Sequence, residues 1–333
     1  MKRIFLVLLL AFLAPPGALA ADAQPAQAQV STPHNEVRLW RQVRSGQPGV
    51  TTVRGIETSV LVQSGGETWR ELHNGPVMLY GGILLCVALA AIAAFYALRG
   101  PIRLKDARSG RLVERFTLIE RVAHWSMAGS FVILALSGLN MLFGRDLLLP
   151  VLGHTLFSWV AVLCKNLHNF VGPLFLLSIV VSFLIFVKDN LWRATDALWL
   201  KKLGGLLSGE RVPSGRFNLG EKAWFWLGLV VLGVTASVSG LVLDFPNFEQ
   251  GRAIMQWADI VHVVATLLFI CLALGHIYIG SIGMEGALEG MRDGYVDEVW
   301  AKEHHEFWYL DQKQKAAEAP AAPPASAASA AQS

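Results

Sequence analysis

The chain has 333 residues, of which 53% are hydrophobic and only 16% are charged, and its mean hydropathy is +0.45. Soluble domains carry about 25% charged residues, so this composition excludes an ordinary soluble protein and indicates a membrane protein. The net charge of +3 is too small to suggest nucleic-acid binding. The three cysteines form neither a disulfide framework nor a CxxC metal motif.

The first twenty residues are typical of a secretory signal peptide. Two basic residues precede a short apolar run, and the sequence Ala-Leu-Ala at 18–20 resembles a cleavage site. The run is shorter than the roughly 20 residues that a spanning helix needs, so we expect cleavage after Ala20, with an uncleaved anchor as the alternative. Residues 21–75 are polar and are predicted to form a periplasmic N-terminal segment. The Ala/Pro/Ser-rich residues 316–333 are predicted to be disordered.

Five apolar segments follow the polar segment, and each is long enough for a tilted transmembrane helix. They lie at about 76–98, 123–144, 166–187, 223–243 and 260–283. The sequence therefore predicts an all-α integral membrane protein. Residues 99–315 are predicted to form a four-helix bundle with a cytoplasmic tail, and 76–98 is one additional N-terminal transmembrane helix.

The distribution of Lys and Arg predicts the orientation of these helices. The loops at 99–121 and 188–222 each carry seven basic residues, whereas the other two loops are nearly bare, with Arg145 and Lys165 in one and Arg252 in the other. Because basic loops remain in the cytoplasm, the first two loops are predicted to be cytoplasmic. A cleaved signal independently places the mature N-terminus outside, and five spans then place the C-terminus in the cytoplasm.

Four of the nine histidines lie within or at the edge of the predicted spans: His124, His168, His262 and His276. An ionisable group in a bilayer is costly and indicates a function. The orientation places His168 and His262 near the outer face, and His124 and His276 near the cytoplasmic face. The fourteen residues between His262 and His276 correspond to about 21 Å of helix rise and about 40° of rotation. One helix therefore contributes to two histidine pairs at different depths.

Two histidine pairs stacked across a membrane are typical of two b-type haems, because haem iron takes two axial imidazoles. Zinc or copper fits less well, since no Cys, Asp or Glu accompanies either pair. Small residues in the second and fourth segments either make room for a haem or serve ordinary helix packing: Gly129, Ser130, Ser137, Gly138, Gly228, Gly233, Ala236, Ser237, Ser239 and Gly240. The other histidines receive no role; His154 is predicted in an outer loop, and His304 and His305 on a solvated surface.

Five stretches together resemble the membrane cytochrome b (gamma) subunits of respiratory formate dehydrogenases. They are LIERVAHWSMAGSFVILALSG, NLHNFVGPLF, GRFNLGEKAWFW, DIVHVVATLLFICLALGHIYIG and GMEGALEGMRDGYVDEVWAKEHHEFWY, and they cover about 100–310. The cytochrome b subunits of nickel–iron hydrogenases and thiosulfate reductases share the haem arrangement and stay as alternatives. The signal, the outer segment and the extra span are additions to the shortest members of the family.

The resemblance implies an electron-transfer subunit in a bacterial inner-membrane complex, and not the subunit that oxidises formate. A molybdenum or tungsten catalytic subunit and an iron–sulfur subunit would supply electrons to the outer haem. The inner haem would pass them to menaquinone or ubiquinone. The family's quinone site corresponds to Asn218 and His276, with Glu221 and Lys222 as candidate proton carriers. Asn218 is also suited to cap a helix, which is a common role of asparagine.

A proton-coupled transporter that uses the histidines as a relay is the alternative from another class. Such transporters commonly contain internal repeats and helices broken by Gly or Pro near the midplane. The sequence shows no convincing repeat, and acidic residues are scarce in the predicted spans. These features favour electron transfer over transport.

Overall fold

The computed structural model describes two short pieces and most of the chain from residue 64 onward, namely residues 41, 44, 45, 64–202, 204, 212–248 and 250–318. The predicted signal peptide, most of the predicted periplasmic segment and the predicted disordered tail beyond Glu318 lie outside the described residues. The described residues from Trp69 onward form one compact unit, which contains His124, His168, His262 and His276.

Five helical runs in the described part of the chain are long and apolar enough to cross a membrane. We call them spans 1 to 5: Gly65–Arg99, Leu118–Leu147, Leu149–Phe186, Leu219–Asp244 and Arg252–Gly283. Each exceeds the roughly 20 residues required to cross a bilayer. The predicted all-α membrane architecture is therefore confirmed.

The spans are built from α-helices with short π-helical stretches, and two short strands lie outside the spans, one in the loop before span 2 and one in the tail. The elements in chain order are α1 (Ser64–Leu72), α2 (Met78–Arg99), β1 (Leu112–Glu114), α3 (Leu118–Leu147), α4 (Leu149–Phe186), α5 (Ala194–Lys201), α6 (Leu219–Ala223), α7 (Val234–Asp244), α8 (Arg252–Tyr278), α9 (Ala287–Asp293), β2 (Tyr295–Asp297), α10 (Glu298–His304) and α11 (Glu306–Glu318). The π-helical stretches are His73–Val77, Trp224–Gly233 and Ile279–Gly283.

Span 3 begins earlier than the sequence predicted. Residues 155–165 are mostly apolar and contain neither Gly nor Pro, so the helix continues toward its start without interruption. A kink occurs at Gly153, where a φ of 71° suits a residue without a Cβ. His154 consequently lies in the helix, and its predicted placement in an outer loop was wrong.

The centre of the bundle is an apolar cluster drawn from spans 3, 4 and 5. Phe175 and Ile179 of α4 pack with Phe225 and Leu229 of span 4 and with Phe269 of α8. All five side chains are at most 5% exposed. This packing fixes the two helices that carry histidines, α4 with His168 and α8 with His262 and His276, against span 4.

The tail folds back on the loop before span 2. Strand β1 pairs antiparallel with β2, with Leu112 opposite Asp297. The Asp297 carboxylate accepts backbone N–H bonds from Ser109, Gly110 and Val299 at 3.2, 2.8 and 2.8 Å. Burial alone raises the pKa of Asp297, but these donors outweigh it and leave the pKa below its ordinary value. The tail is thus fastened at the end of the bundle that bears the basic loops, which we call the basic end.

Candidate functional site

The structure brings the four membrane histidines together as two facing pairs. His124 of α3 faces His276 of α8 near the basic end, with ring centroids 6.3 Å apart. His168 of α4 faces His262 of α8 toward the other end, with ring centroids 6.0 Å apart. We call them the basic-end pair and the far pair.

The separation within each pair suits one metal ion held between two imidazoles. Imidazole nitrogen binds a first-row metal at about 2.0 Å, so two rings on opposite sides of one ion have centroids roughly 6 Å apart. Among the residues that the structure describes, no group of three or more His, Cys, Asp or Glu side chains is placed to hold a metal. Two-ligand sites fit the axial coordination of haem iron better than a tetrahedral zinc site.

Hydrogen bonds fix which ring nitrogen of the far pair is available. Ser137 Oγ donates to the carbonyl oxygen of Ile133 at 2.7 Å and therefore accepts from His168 Nδ1 at 2.9 Å. His262 Nδ1 lies 2.8 Å from the carbonyl oxygen of Ala236, which can only accept. Both rings consequently carry hydrogen on Nδ1 and keep the Nε2 lone pair for a metal.

The basic-end pair is supported by aromatic side chains instead. The His276 ring stacks on Trp224, with centroids 4.5 Å apart and an interplanar angle of 4°. A Cβ on Gly228 would lie 2.7 Å from the Trp224 ring, so glycine leaves the space that the indole fills. His124 meets Trp125 edge to face at 5.1 Å, and Trp125 Nε1 donates to the carbonyl oxygen of Met291 at 2.9 Å.

The small residues predicted around the site have different roles. A Cβ on Gly138 would lie 3.1 Å from His168 Cε1, and a Cβ on Gly240 would lie 3.0 Å from His262 Cε1. These two glycines make room for the ligand rings. Gly233 instead packs against Ile179, whereas a Cβ on Gly129 would meet open space. The two interpretations of the small residues therefore apply to different positions.

An aromatic layer lies between the two pairs. Phe269 is seven residues from both His262 and His276. Its ring is 5.0 Å from that of Phe131 and 6.0 Å from that of Phe175. Sequence reasoning missed this layer, although the midpoint position of Phe269 between two histidines was a signal. The layer makes the space between the pairs apolar.

Asn218 caps span 4. Its Oδ1 accepts from the backbone N–H of Glu221 at 3.0 Å, and Glu221 Oε2 accepts from the backbone N–H of Asn218 at 2.8 Å. This reciprocal arrangement is a capping box. The predicted helix-cap role of Asn218 is present, and its amide NH₂ group remains a donor.

Glu221 and Lys222 have different surroundings. Lys222 Nζ lies 2.7 Å from Asp196 Oδ2 and donates to the carbonyl oxygen of Leu191 at 3.0 Å. The side chains of Lys222 and Asp196 are each 4% exposed, whereas Glu221 is 36% exposed. Lys222 is thus held in a buried ion pair, and Glu221 has one open side.

His305 does not lie on a solvated surface, and that prediction was wrong. The residue is 1% exposed. Its Nδ1 lies 2.9 Å from the carbonyl oxygen of Gly215, and its ring centroid lies 5.1 Å from that of Trp300. The aromatic residues on both sides of His305 in the sequence bury it when the tail folds back.

Comparison with known families identifies a family that matches the part of the chain with the paired histidines. Residues 115–294, more than half of the chain, match the family described as prokaryotic cytochrome b561. This chain belongs to that family. The matched range holds all four paired histidines, and membership of a cytochrome b family implies haem b.

Several relatives are formate dehydrogenase subunits. The chain is 32% identical over 203 residues to the formate dehydrogenase cytochrome b556(fdo) subunit of Escherichia coli (strain K12), a match that covers 60% of this chain and 92% of the relative. It is 27% identical over 212 residues to the nitrate-inducible cytochrome b556(Fdn) subunit of the same strain, with the same coverage. The cytochrome b556 subunit of Haemophilus influenzae is 26% identical over 203 residues, covering 58% of this chain and 80% of that relative. The resemblance inferred from the sequence motifs is confirmed.

Proposed function

We propose that this chain is the membrane subunit of a formate dehydrogenase complex that holds two haems b and carries electrons to quinone. The observation that carries the proposal is the presence of two facing histidine pairs, one toward each end of one bundle. The ring centroids lie 6.3 Å apart in the basic-end pair and 6.0 Å apart in the far pair. The similarity to formate dehydrogenase subunits supports the identity of the complex.

The residues of the chain have distinct tasks in this function. His124 and His276 hold one haem iron, and His168 and His262 hold the other. Haem b supplies a one-electron carrier when it is bound. Ser137 and the Ala236 carbonyl orient the far pair, and Trp224 orients His276. The Phe131–Phe175–Phe269 layer excludes water between the pairs.

The proposed direction of electron flow follows from the orientation predicted by the basic loops. The far pair lies toward the periplasm of a bacterial inner membrane, with the mature N-terminus on the same side. An iron–sulfur subunit, itself supplied by a molybdenum or tungsten catalytic subunit, delivers electrons there. The basic-end pair and the C-terminus lie at the cytoplasmic side, where menaquinone or ubiquinone is reduced near Asn218 and His276.

Haem stoichiometry tests the core of the proposal. Purified wild-type protein is expected to show a reduced-minus-oxidised b-type spectrum with two haems per chain. His168→Ala and His124→Ala are each expected to lose one haem and keep the other. His154→Ala is the control, because His154 lies outside both pairs, and it is expected to keep two. A His168→Ala protein with two haems would contradict the assignment.

The electron donor is tested separately in native membranes. Formate is expected to reduce the b-type absorbance, whereas hydrogen is expected to leave it oxidised and thiosulfate is expected not to reoxidise it once it is reduced. Reduction by hydrogen without reduction by formate would instead identify a hydrogenase subunit. Either outcome leaves the haem assignment intact.

The quinone role of Asn218 can be separated from its role as a helix cap. Asn218→Ser and Asn218→Asp keep a side-chain oxygen that caps the helix, but both lose the amide donor. If the amide binds a quinone carbonyl, both variants raise the KM for quinone while haem content stays unchanged. An unchanged KM in both variants would leave Asn218 as a cap alone.

A further inference from the structure

A polar cluster connects the start of span 4 with the folded-back tail. Glu221 Oε1 accepts from Arg115 Nη2 at 3.1 Å and lies 3.8 Å from His305 Nε2. The Arg115 and His305 side chains are 3% and 2% exposed, whereas 36% of the Glu221 side chain is exposed. Glu221 therefore contacts buried groups on one side and open space on the other.

The hydrogen bond to Gly215 determines which nitrogen of His305 meets Glu221. Because a carbonyl oxygen only accepts, His305 Nδ1 carries the hydrogen in this 2.9 Å contact. The neutral ring then has its lone pair on Nε2, the atom nearest the Glu221 carboxylate. Burial and the Arg115 cation lower the pKa of His305 well below its ordinary value. The ring is thus neutral at rest, and its Nε2 lone pair can accept a proton.

Arg115 supplies a fixed positive charge beside Glu221. Its guanidinium carbon lies 5.0 Å from the ring centroid of Phe116, 4.8 Å from that of Trp300 and 5.5 Å from that of Trp308. Burial lowers the pKa of Arg115 to about 10, against the opposing effect of Glu221. The guanidinium consequently stays charged at neutral pH and stabilises the Glu221 carboxylate after it has given up a proton.

A water-accessible cleft lies against the same cluster. Its volume is about 610 Å³, and Arg115, Arg216 and Trp308 contribute to its wall. The Trp308 ring lies 6.4 Å from that of His305, so Trp308 is next to both the histidine and the cleft. The charged and titratable neighbours of His305 and Glu221 are Arg115, Lys222 and His304, and Arg216 and Glu120 lie next to Arg115.

Glu221 also lies less than one helical turn before Trp224, which supports the basic-end pair. It precedes Trp224 by three residues, which corresponds to about 4.5 Å of helix rise. Trp224 in turn stacks on His276. Glu221 therefore lies between the buried His305 and the region where quinone is proposed to bind. Lys222 has no such position, because Asp196 holds it in the buried ion pair.

We propose that His305 and Glu221 form a proton route from the cleft to the quinone. The inference rests on the proposed function. Reduction of one quinone to quinol consumes two electrons, which the haem-bearing chain supplies, and two protons. The Nε2 lone pair of His305 takes up each proton from the cleft and passes it to Glu221 Oε1, from which it goes to a quinone oxygen. His305 returns to its neutral form and Glu221 to its carboxylate, so both residues end each cycle unchanged.

Two conservative variants test the route. Glu221→Gln keeps an oxygen for the capping box but carries no exchangeable acid proton. In His305→Asn the side-chain amide takes the place of Nδ1–H and preserves the bond to Gly215, but Nε2 is lost. His304→Asn is the neighbouring control. The experiment uses native membranes reduced with limiting dithionite and mixed with a soluble benzoquinone or naphthoquinone, and it follows reoxidation of the b-type absorbance.

Both variants are expected to keep two haems and to slow reoxidation at least ~10-fold. The reoxidation rate is also expected to fall more steeply as pH rises, because protons must then come directly from solution. The His304→Asn rate is expected to match wild type. Wild-type rates and pH profiles in both variants would overturn the proton route while leaving the proposed function intact. A wild-type protein that quinone does not reoxidise would contradict the proposed function itself.

Discussion

At the scale of single residues, the site depends on groups that hold the histidines rather than on the histidines alone. Ser137 and the Ala236 carbonyl fix Nδ1–H of the far pair, and glycine at 138 and 240 leaves room for the rings. Such supporting groups typically change metal affinity by about 10- to 100-fold when they are removed. The sequence marked these positions only as small residues.

Ser137→Ala removes the acceptor for His168 Nδ1–H. We expect haem affinity at the far pair to fall by about 10- to 100-fold and the midpoint potential of that haem to shift, because the ring loses its orientation. A redox titration of the b-type absorbance measures the shift. Ser130→Ala is a matched control on the same helix, since Ser130 is equally buried and donates only to its own helix. Equal behaviour of the two variants would refute the positioning role.

Gly138→Ala places a methyl group 3.1 Å from His168 Cε1. Because helix packing gives the ring little freedom to retreat, we expect occupancy to fall toward one haem per chain, as quantified by a haemochrome assay. Gly129→Ala, on the same helix, adds its methyl to open space and should retain both haems. Full occupancy in Gly138→Ala would show that the ring can move aside.

At the scale of elements, the start of span 4 combines a capping box, a π-helical stretch and a buried ion pair. The π-helical stretch Trp224–Gly233 begins at the residue that stacks on His276, and such stretches are frequent at functional sites. The pair between Lys222 and Asp196 ties this helix start to α5. Hydropathy predicted that a span begins here, but it contains no information about this junction.

Asp196→Asn leaves the buried Lys222 charge without its partner. Breaking a buried pair on one side typically costs about 3–5 kcal/mol, so we expect a clearly lower midpoint of thermal unfolding in detergent. Asp311→Asn removes a partner from the exposed pair with Lys315, where the expected cost is below about 1 kcal/mol. Equal midpoints for Asp196→Asn and wild type would mean that Lys222 finds another partner or loses its charge.

At the scale of the whole molecule, the basic loops and the folded tail lie at one end of the bundle, together with His124 and His276. The tail is joined to the loop before span 2 through β1, β2 and Asp297. This arrangement brings His305 to Glu221 across more than eighty residues of sequence. The end predicted to face the cytoplasm is therefore also the end with the polar cleft.

Reporter fusions test the orientation of the whole chain. Alkaline phosphatase fused after Gln250 is expected to be active, and the same enzyme fused after Lys202 is expected to be inactive, because basic loops stay in the cytoplasm. Green fluorescent protein should show the opposite pattern, with strong fluorescence at the Lys202 position. Phosphatase activity at Lys202 and none at Gln250 would reverse the proposed sidedness.

The sequence by itself determined the five spans and the expectation of two histidine pairs. The length of an apolar run shows that a helix can cross the membrane, and the period of 3.6 residues shows which side chains share a helix face. It misplaced the start of span 3, where apolar residues and a glycine kink leave no clear boundary. Only the tertiary structure decided that Ser137 holds His168, that Phe269 separates the pairs and that His305 is buried beside Glu221. Those contacts join residues far apart in the chain, and local periodicity carries no information about which distant side chains meet.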